Sequence, residues 1–429
     1  MRVAFYTLGC KVNQYETQAM EQILVGRGHT LVPFTDEADV YIINTCSVTA
    51  VSDKKCRQVI RRTRKRMPEA ILAVCGCYSQ THPQDMEELS IDLVSGTGDR
   101  TGFLDLVEQT WQERQPLTAL DDAMKRRIFE VLPAGGLEGR TRAMLKVEDG
   151  CVNFCTYCII PYARGPIRSL SLEQASEQAA QLAQAGYREL VLTGIEISSW
   201  GHEFRDGTSL IDLIEAVCAA APGCRIRLGS LEPRTITEDF CRRAAKLDNL
   251  CPHFHLSMQS GCDTVLKRMN RKYDTARYYE SVELLRRHFD RPGITTDLIV
   301  GFPGETEEEF LQTLDFIQKC AFSAMHIFPY SKRPGTPAAK MEGQLLNTVK
   351  EERAHRAAAI AARMEQDYLA RFVGEEVPVL FEEERDGLWR GYTTRYAEVV
   401  VASDENLHNQ LRTARLDRVE GTALRGTLV

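Results

Sequence analysis

Short apolar runs rich in β-branched residues recur along the first third of the chain, with longer mixed stretches between them. They fall at 3–8, 40–43, 70–74 and 91–94, the last running into Ser95-Gly96-Thr97-Gly98. Each interval is long enough for a crossover helix and a return, so the first ~130 residues predict an open parallel α/β sheet. A turn-rich linker follows at Leu132-Pro133-Ala134-Gly135-Gly136. A second series then places strands at 143–147, 189–192, 225–228, 254–256, 296–300 and 325–328, each running into Gly, Ser, Glu or Pro. Six such units fall short of the eight of a closed barrel, so a partial (βα)6 barrel with an open side is expected. Thr306 and Glu309 read as a capping box ahead of a stripe of Phe310, Leu314 and Ile317. After an Ala/Glu/Arg-rich helix at 347–372, runs at 376–381, 388–392, 397–401 and 421–429 predict a small antiparallel β-barrel. The expected domains are 1–132, 137–368 and 369–429.

Composition narrows the function. At 429 residues and 43% hydrophobic content the chain supports several cores. A net charge of −7 argues against non-specific coating of nucleic acid, though not against a local basic patch. The N-terminal residues lack a signal-peptide stretch and no run is long enough to span a membrane, so a cytoplasmic location is expected. Fourteen cysteines in a long chain of this kind point to ligands or buried thiols rather than disulfides. Cys56, Cys218, Cys224, Cys241, Cys251, Cys262 and Cys320 sit singly in apolar or helical contexts and are expected to be buried packing residues.

Asp149-Gly150-Cys151-Val152-Asn153-Phe154-Cys155-Thr156-Tyr157-Cys158 follows the first strand of the second series. Three thiolates on one tight loop can bind three irons of a [4Fe-4S] cube, which ordinarily takes four cysteines. The iron left open can be chelated by the amino and carboxylate groups of S-adenosylmethionine, whose reductive cleavage gives a 5′-deoxyadenosyl radical. The alternative is zinc, which wants four ligands, commonly as paired knuckles, and no second knuckle lies nearby. The spacing, with Tyr157 before the last cysteine, resembles the radical S-adenosylmethionine superfamily.

Cys10, Cys46 and Cys77 each come just after an expected strand, and in a parallel sheet the carboxyl ends of the strands share one ligand-binding edge. The three thiols are therefore expected to converge, with buried core cysteines as the alternative and Cys75 facing the core. Thr7-Leu8-Gly9-Cys10-Lys11-Val12-Asn13, Asn44-Thr45-Cys46-Ser47-Val48 and Gly76-Cys77-Tyr78-Ser79-Gln80 resemble the cysteine motifs of the methylthiotransferase family. Tyr162-Ala163-Arg164-Gly165, 255–261 and 301–306 agree, and the resemblance covers essentially the whole chain. It implies an N-terminal methylthiotransferase domain, a radical S-adenosylmethionine domain and a C-terminal RNA-binding TRAM domain. It also implies two [4Fe-4S] clusters, S-adenosylmethionine, an external electron donor and a sulfur donor. Hydrogen abstraction from an unreactive carbon would be followed by sulfur insertion and methylation, with no general base assigned. The superfamily likeness further implies that Tyr157, Thr193, Gly194, Ser230, Glu232, Asp297 and Gly301 line the S-adenosylmethionine pocket.

Family members act on an adenosine beside the tRNA anticodon or on an aspartate of a ribosomal protein. Lys54, Lys55, Arg57, Arg61, Arg62, Arg64, Lys65 and Arg66 lie on one expected helix after Cys46 and suit phosphate contact; the alternative is a solvated helix face. From Arg371 onward acids outnumber bases, so the barrel's RNA contacts would rest on exposed Arg390, Tyr392, Arg395 and Tyr396, or those residues simply pack. The stretches 326–337 and 391–396 resemble the branch acting on N6-threonylcarbamoyladenosine at position 37, whose carboxylate Lys332 or Arg333 would pair with. The competing readings are an N6-isopentenyladenosine enzyme, a ribosomal-protein enzyme, and a non-catalytic iron–sulfur or zinc RNA-binding module.

Overall fold

The computed structural model describes residues 1–47, 49–135 and 141–429. Val48 and the expected linker residue Gly136 lie outside them, as does the expected boundary at 137. The first unit is a six-stranded, wholly parallel sheet in the order β2-β1-β3-β4-β5-β6. Its strands are β1 (Arg2–Thr7), β2 (Thr30–Leu31), β3 (Val40–Thr45), β4 (Ile71–Gly76), β5 (Leu93–Ser95) and β6 (Leu117–Ala119). The sequence pattern anticipates four of these. The two missed strands are edge pieces of two and three residues with exposed or half-buried side chains, so they carry no hydrophobic signature. Separate apolar layers cover the two faces of the sheet, one holding Tyr41, Ile43 and Cys56, the other Val40, Ile42 and Cys75. This alternation is the period of two expected of a strand buried on both sides.

The central unit begins with β7 (Arg142–Lys146), followed by a two-residue antiparallel pair, β8 (Glu148–Asp149) and β9 (Arg168–Ser169). The barrel continues through β10 (Glu189–Thr193), β11 (Arg225–Leu228), β12 (Ser230–Leu231), β13 (His253–Leu256), β14 (Gly293–Val300) and β15 (Ala324–Pro329). One sheet runs β11-β10-β7 and the other β12-β13-β14-β15, all parallel. Residues 225–231 join them, because the chain changes partner at Gly229: before it the strand pairs with β10, after it with β13. The result is the expected six-unit partial barrel, open between β7 and β15. The capping box of Thr306 and Glu309 forms as expected, and Phe310, Leu314 and Ile317 are buried.

The third unit is a closed barrel in the order β16-β17-β18-β20-β19. Its strands are β16 (Glu376–Arg385), β17 (Leu388–Thr393), β18 (Glu398–Val401), β19 (Gln410–Glu420) and β20 (Ala423–Leu428). It has one strand more than the sequence suggests, and β18 pairs with β20 in parallel. β19 escapes notice because most of its eleven residues are polar and only Ala414 and Leu416 are buried. The preceding helix Asn347–Ala370 delivers Tyr368 and Leu369, with Phe372, into this barrel's core.

The flanking units meet different parts of the central barrel. The small barrel caps the amino ends of its strands: Arg225 donates to Pro378 O at 2.8 Å, and Arg227 to Thr394 O at 2.9 Å. Tyr396 is stacked between His253, 4.9 Å away, and Tyr392, 4.8 Å away. The first unit bridges the open side. Its helix Lys11–Gly26 packs along β7, where Tyr15, Ala19 and Leu132 meet Met144. Across the gap, Arg333 beyond β15 binds Ser47 at 2.7 Å and Asp53 at 3.2 Å.

The β7 contact centres on a buried carboxylate. Glu16 pairs with Arg100 at 2.7 Å, with Lys146 at 3.1 Å, and with Arg164. Burial alone would raise the Glu16 carboxyl, but Arg100, Arg164 and Lys146 outweigh it and hold it well below the ordinary range. Removing one partner of such a buried set strands the others. Glu16→Gln is therefore expected to destabilise the protein by about 3–5 kcal/mol in denaturant unfolding, with earlier release of the first unit. A loss below about 1 kcal/mol, typical of an exposed pair, would show that the cluster does not hold the interface.

Candidate active site

Cys10, Cys46 and Cys77 stand on neighbouring loops because β1, β3 and β4 are adjacent in the sheet. Cys10 caps the helix Lys11–Gly26, Cys46 follows β3, and Cys77 opens the short helix Cys77–Thr81. Gly9 (φ +124°) and Gly76 (φ +107°) make the turns. A β carbon on Gly9 would stand 3.1 Å from Cys46 Cβ, and one on Gly76 2.6 Å from Thr45 N. Only glycine lets the loops approach this closely. Asn13 clamps them, donating to Leu8 O at 3.1 Å and Thr45 O at 2.9 Å, while Asn44 donates back to Asn13 O at 3.1 Å. Cys10 is exposed, whereas Cys46 and Cys77 are buried. Burial pushes the Cys77 thiol up; Arg164, hydrogen-bonded to it, pulls the other way. Cys75 faces the opposite apolar layer, as expected, and the seven single cysteines are all buried and free.

The loop bearing Cys151, Cys155 and Cys158 is pinned from three sides. Cys151 N donates to Gly165 O at 3.0 Å, Thr156 N to Met269 O at 3.0 Å, and Ala338 N to Thr156 O at 2.9 Å. Burial raises the thiols of Cys151 and Cys158, the latter to about 11. Arg271 Nη1 lies 3.2 Å from Cys155 Sγ, and the same guanidinium covers the Tyr273 ring at 4.8 Å. Tyr157 packs behind the loop, beside Arg271. Among the described residues no group of three or more His, Cys, Asp or Glu side chains is close enough to hold a single metal ion. A cube spreads its three cysteines over three irons, so it asks for a wider triad than one ion does.

Two cavities adjoin these groups. One, of about 460 Å³, is lined by Val152 and Asn153 of the cysteine loop with Glu196, Ser198, Glu232 and Arg234. Burial raises the Glu196 carboxyl against hydrogen bonds from Ser199 and Ser198. The other, of about 470 Å³, is the barrel lumen; Ser230 and Asp297 line it, with His253, His255 and His326. The residues expected around S-adenosylmethionine therefore divide. Glu232 stands beside the cysteine loop, and Thr193 is buried at the end of β10. A β carbon on Gly194 would stand 2.7 Å from Glu148 Oε2. Gly301 faces the Lys350 side chain, away from both cavities. Several buried polar atoms near the two cysteine groups have no partner: Glu148 Oε1, Asp149 Oδ1, and Arg333 Nε and Nη1. Orphaned polar groups beside buried thiols suit a site built to receive a polar cofactor.

Residues 145–317 match the Radical SAM superfamily, and residues 2–96 match the Uncharacterized protein family UPF0004. The chain is 43% identical to the threonylcarbamoyladenosine tRNA methylthiotransferase MtaB of Bacillus subtilis, over 94% of this chain and 91% of that protein. The chain belongs to the radical S-adenosylmethionine methylthiotransferases. This methylthiotransferase is also 33% identical to the tRNA-2-methylthio-N(6)-dimethylallyladenosine synthase of Acetivibrio thermocellus, over 99% of this chain and 90% of that one. Its fold is similar to that of the radical S-adenosylmethionine methyltransferase TsrM of Kitasatospora setae. The TM-score is 0.58 at 14% identity, covering 79% of this chain and 74% of the other. A methylthiotransferase of this superfamily uses a [4Fe-4S] cluster and S-adenosylmethionine, and Cys151, Cys155 and Cys158 are the residues that would hold the cluster.

Several expected contacts are engaged elsewhere. Arg57 bonds Tyr78, Arg64 bonds Ser90 O at 2.9 Å and pairs with Asp92, and Arg66 covers Phe34 and Tyr41. In the small barrel Arg390 pairs with Glu398 at 2.7 Å and Arg395 with Asp290 at 3.1 Å. Tyr392 and Tyr396 are half-buried at the interface rather than exposed. Arg333 is 3% exposed and already matched by Asp53, whereas Lys332 is exposed. Arg164 and Arg271, which touch the cysteines, were not singled out from sequence. Arg164 sits in a motif that sequence reading noted, but Arg271 carries no local signal. Arg271→Gln is expected to shift the cluster on this loop to a more negative midpoint potential, because a donor to a ligand sulfur favours the reduced state. An unchanged potential in an EPR-monitored titration would reduce the contact to packing.

Proposed function

We propose that this methylthiotransferase adds a methylthio group to C2 of N6-threonylcarbamoyladenosine at position 37 of tRNA, using two [4Fe-4S] clusters. One geometric observation supports the two-cluster reading: Cys10, Cys46 and Cys77 stand on neighbouring loops of the unit that bridges the barrel's open side. Cys10, Cys46 and Cys77 would hold the second cluster. When bound, the cofactors supply a 5′-deoxyadenosyl radical, sulfur and a methyl group; the chain's residues orient them and exclude water. On this reading residues 1–132 serve sulfur insertion, 137–368 radical generation and 369–429 RNA engagement. An external electron donor and a sulfur donor complete the reaction, and the tRNA substrate makes the cytoplasm its place of work.

The substrate choice leans on the higher identity to the threonylcarbamoyl relative, 43% against 33%. Phe328 shares the strand face of His326 and is 46% exposed, an uncovered ring where a purine can stack. Phosphate contact would come from Lys54, Lys55, Arg61, Arg62 and Lys65, all exposed on the helix Ala50–Arg66.

Two measurements test this. Anaerobically reconstituted protein should bind about eight irons per chain, falling to about four when Cys10, Cys46 and Cys77 are replaced by Ala; four irons in both would remove the second cluster. In a deletion strain, tRNA nucleosides should lose 2-methylthio-N6-threonylcarbamoyladenosine and regain it on complementation. Loss of the isopentenyl product instead, or a change confined to a ribosomal protein, would overturn the substrate. For the RNA face, Lys54→Gln with Lys55→Gln should lessen the salt dependence of tRNA binding by about one unit of log–log slope per charge removed. An unaltered slope would place the RNA elsewhere.

A further inference from the structure

We propose that Lys11 recognises the carboxylate of the threonylcarbamoyl group, pairing with it from the wall of the barrel lumen; this rests on the substrate reading above. Lys11 follows Cys10 directly and enters the lumen from the open side, where it lines the cavity shared with Arg227, His255, Asp297, His326 and Tyr396.

The lumen's arginines are matched. Arg227 makes a two-pronged pair with Glu189 at 2.7 and 2.9 Å, and Arg142, beside Lys11, pairs with Glu382 at 2.6 Å. Arg395 is held by Asp290, and burial keeps His253 neutral. Among the acids, Asp297 stands 3.3 Å from His255 and Glu398 2.7 Å from Arg390. Burial, then Glu398, raises the carboxyl of Glu365. Lys11 Nζ makes no hydrogen bond or ion pair among the described residues. Lys11 shares a second cavity wall with Arg142 and Arg227, and a cation crowded by other cations is stabilised by an incoming anion.

Position supplies the second argument. In N6-threonylcarbamoyladenosine the ureido N–H folds back toward N1, which brings the carboxylate to the C2 side of the purine. A group reading that carboxylate must lie close to the one that delivers sulfur to C2. Lys11 is one residue from Cys10, a ligand of the sulfur-delivering cluster on this reading. Arg333 is committed to Asp53, and Lys332 lines neither cavity. An isopentenyl tail, having no charge, would gain nothing from Lys11, so the residue would be a specificity determinant.

The test compares anticodon stem-loops carrying N6-threonylcarbamoyladenosine as the free acid or as its methyl ester. Reconstituted wild-type enzyme should bind the acid about ten-fold or more tightly than the ester, as a charged hydrogen bond implies. Lys11→Gln and Lys11→Met should bring that ratio to about one while ester affinity and iron content stay unchanged, and Lys11→Arg should keep most of it. A neutral variant that retains the ratio, or that weakens acid and ester equally, overturns the proposal. Wild-type enzyme that leaves the free-acid stem-loop unmodified would instead defeat the substrate reading itself.

Discussion

Glu16 sits at the junction on which the arrangement of the two cysteine groups depends. It is 1% exposed and surrounded by Arg100, Lys146 and Arg164, with Asp149 and Arg168 completing the set. Arg100 belongs to the first unit, and Lys146, Arg164 and Asp149 to the central barrel, so docking and neutralisation are one event. A buried charge without partners costs several kcal/mol, which leaves little freedom for the two units to slide. Four cations face two carboxylates, and the surplus positive charge lies beside Cys77, where Arg164 reaches the sulfur. The network that fixes the interface thus also opposes the burial that raises the Cys77 thiol.

The partial barrel makes that docking necessary. A closed barrel satisfies its own edge strands, but here β7 and β15 are left at an opening. The first unit covers it from both sides, through the Glu16 cluster at β7 and through Arg333 with Ser47 and Asp53 beyond β15. The carboxyl edge of its own parallel sheet, which carries Cys10, Cys46 and Cys77, is thereby turned toward the lumen. The small barrel closes the far end, where arginines at the strand starts bond its backbone carbonyls. Its aromatic residues are spent on that seal rather than displayed to solvent.

Much of this was legible in the chain itself. Short continuous apolar runs ending in Gly, Ser, Glu or Pro marked the principal strands, because burying both faces of a parallel strand demands continuous apolar residues. The Cys-x3-Cys-x2-Cys spacing identified the radical chemistry, because three ligands on one loop are a local property. Polar edge strands and β19 stayed hidden, since pairing that leaves side chains in water imposes no pattern on them. Basic residues on Ala50–Arg66 read as one stripe, yet Arg57, Arg64 and Arg66 are consumed by neighbours that sequence does not display.

The sequence alone determined the principal elements, the reactive residue types and the order of the three units. Tertiary structure decided which charges are spent and which are free: Arg333 neutralised by Asp53, Arg227 by Glu189, Lys11 unpaired in the lumen. It also decided that Arg271, over a hundred residues away, touches Cys155. The reason is physical. Local propensity and spacing are written along the chain, whereas neutralisation depends on distances between residues that only folding brings together.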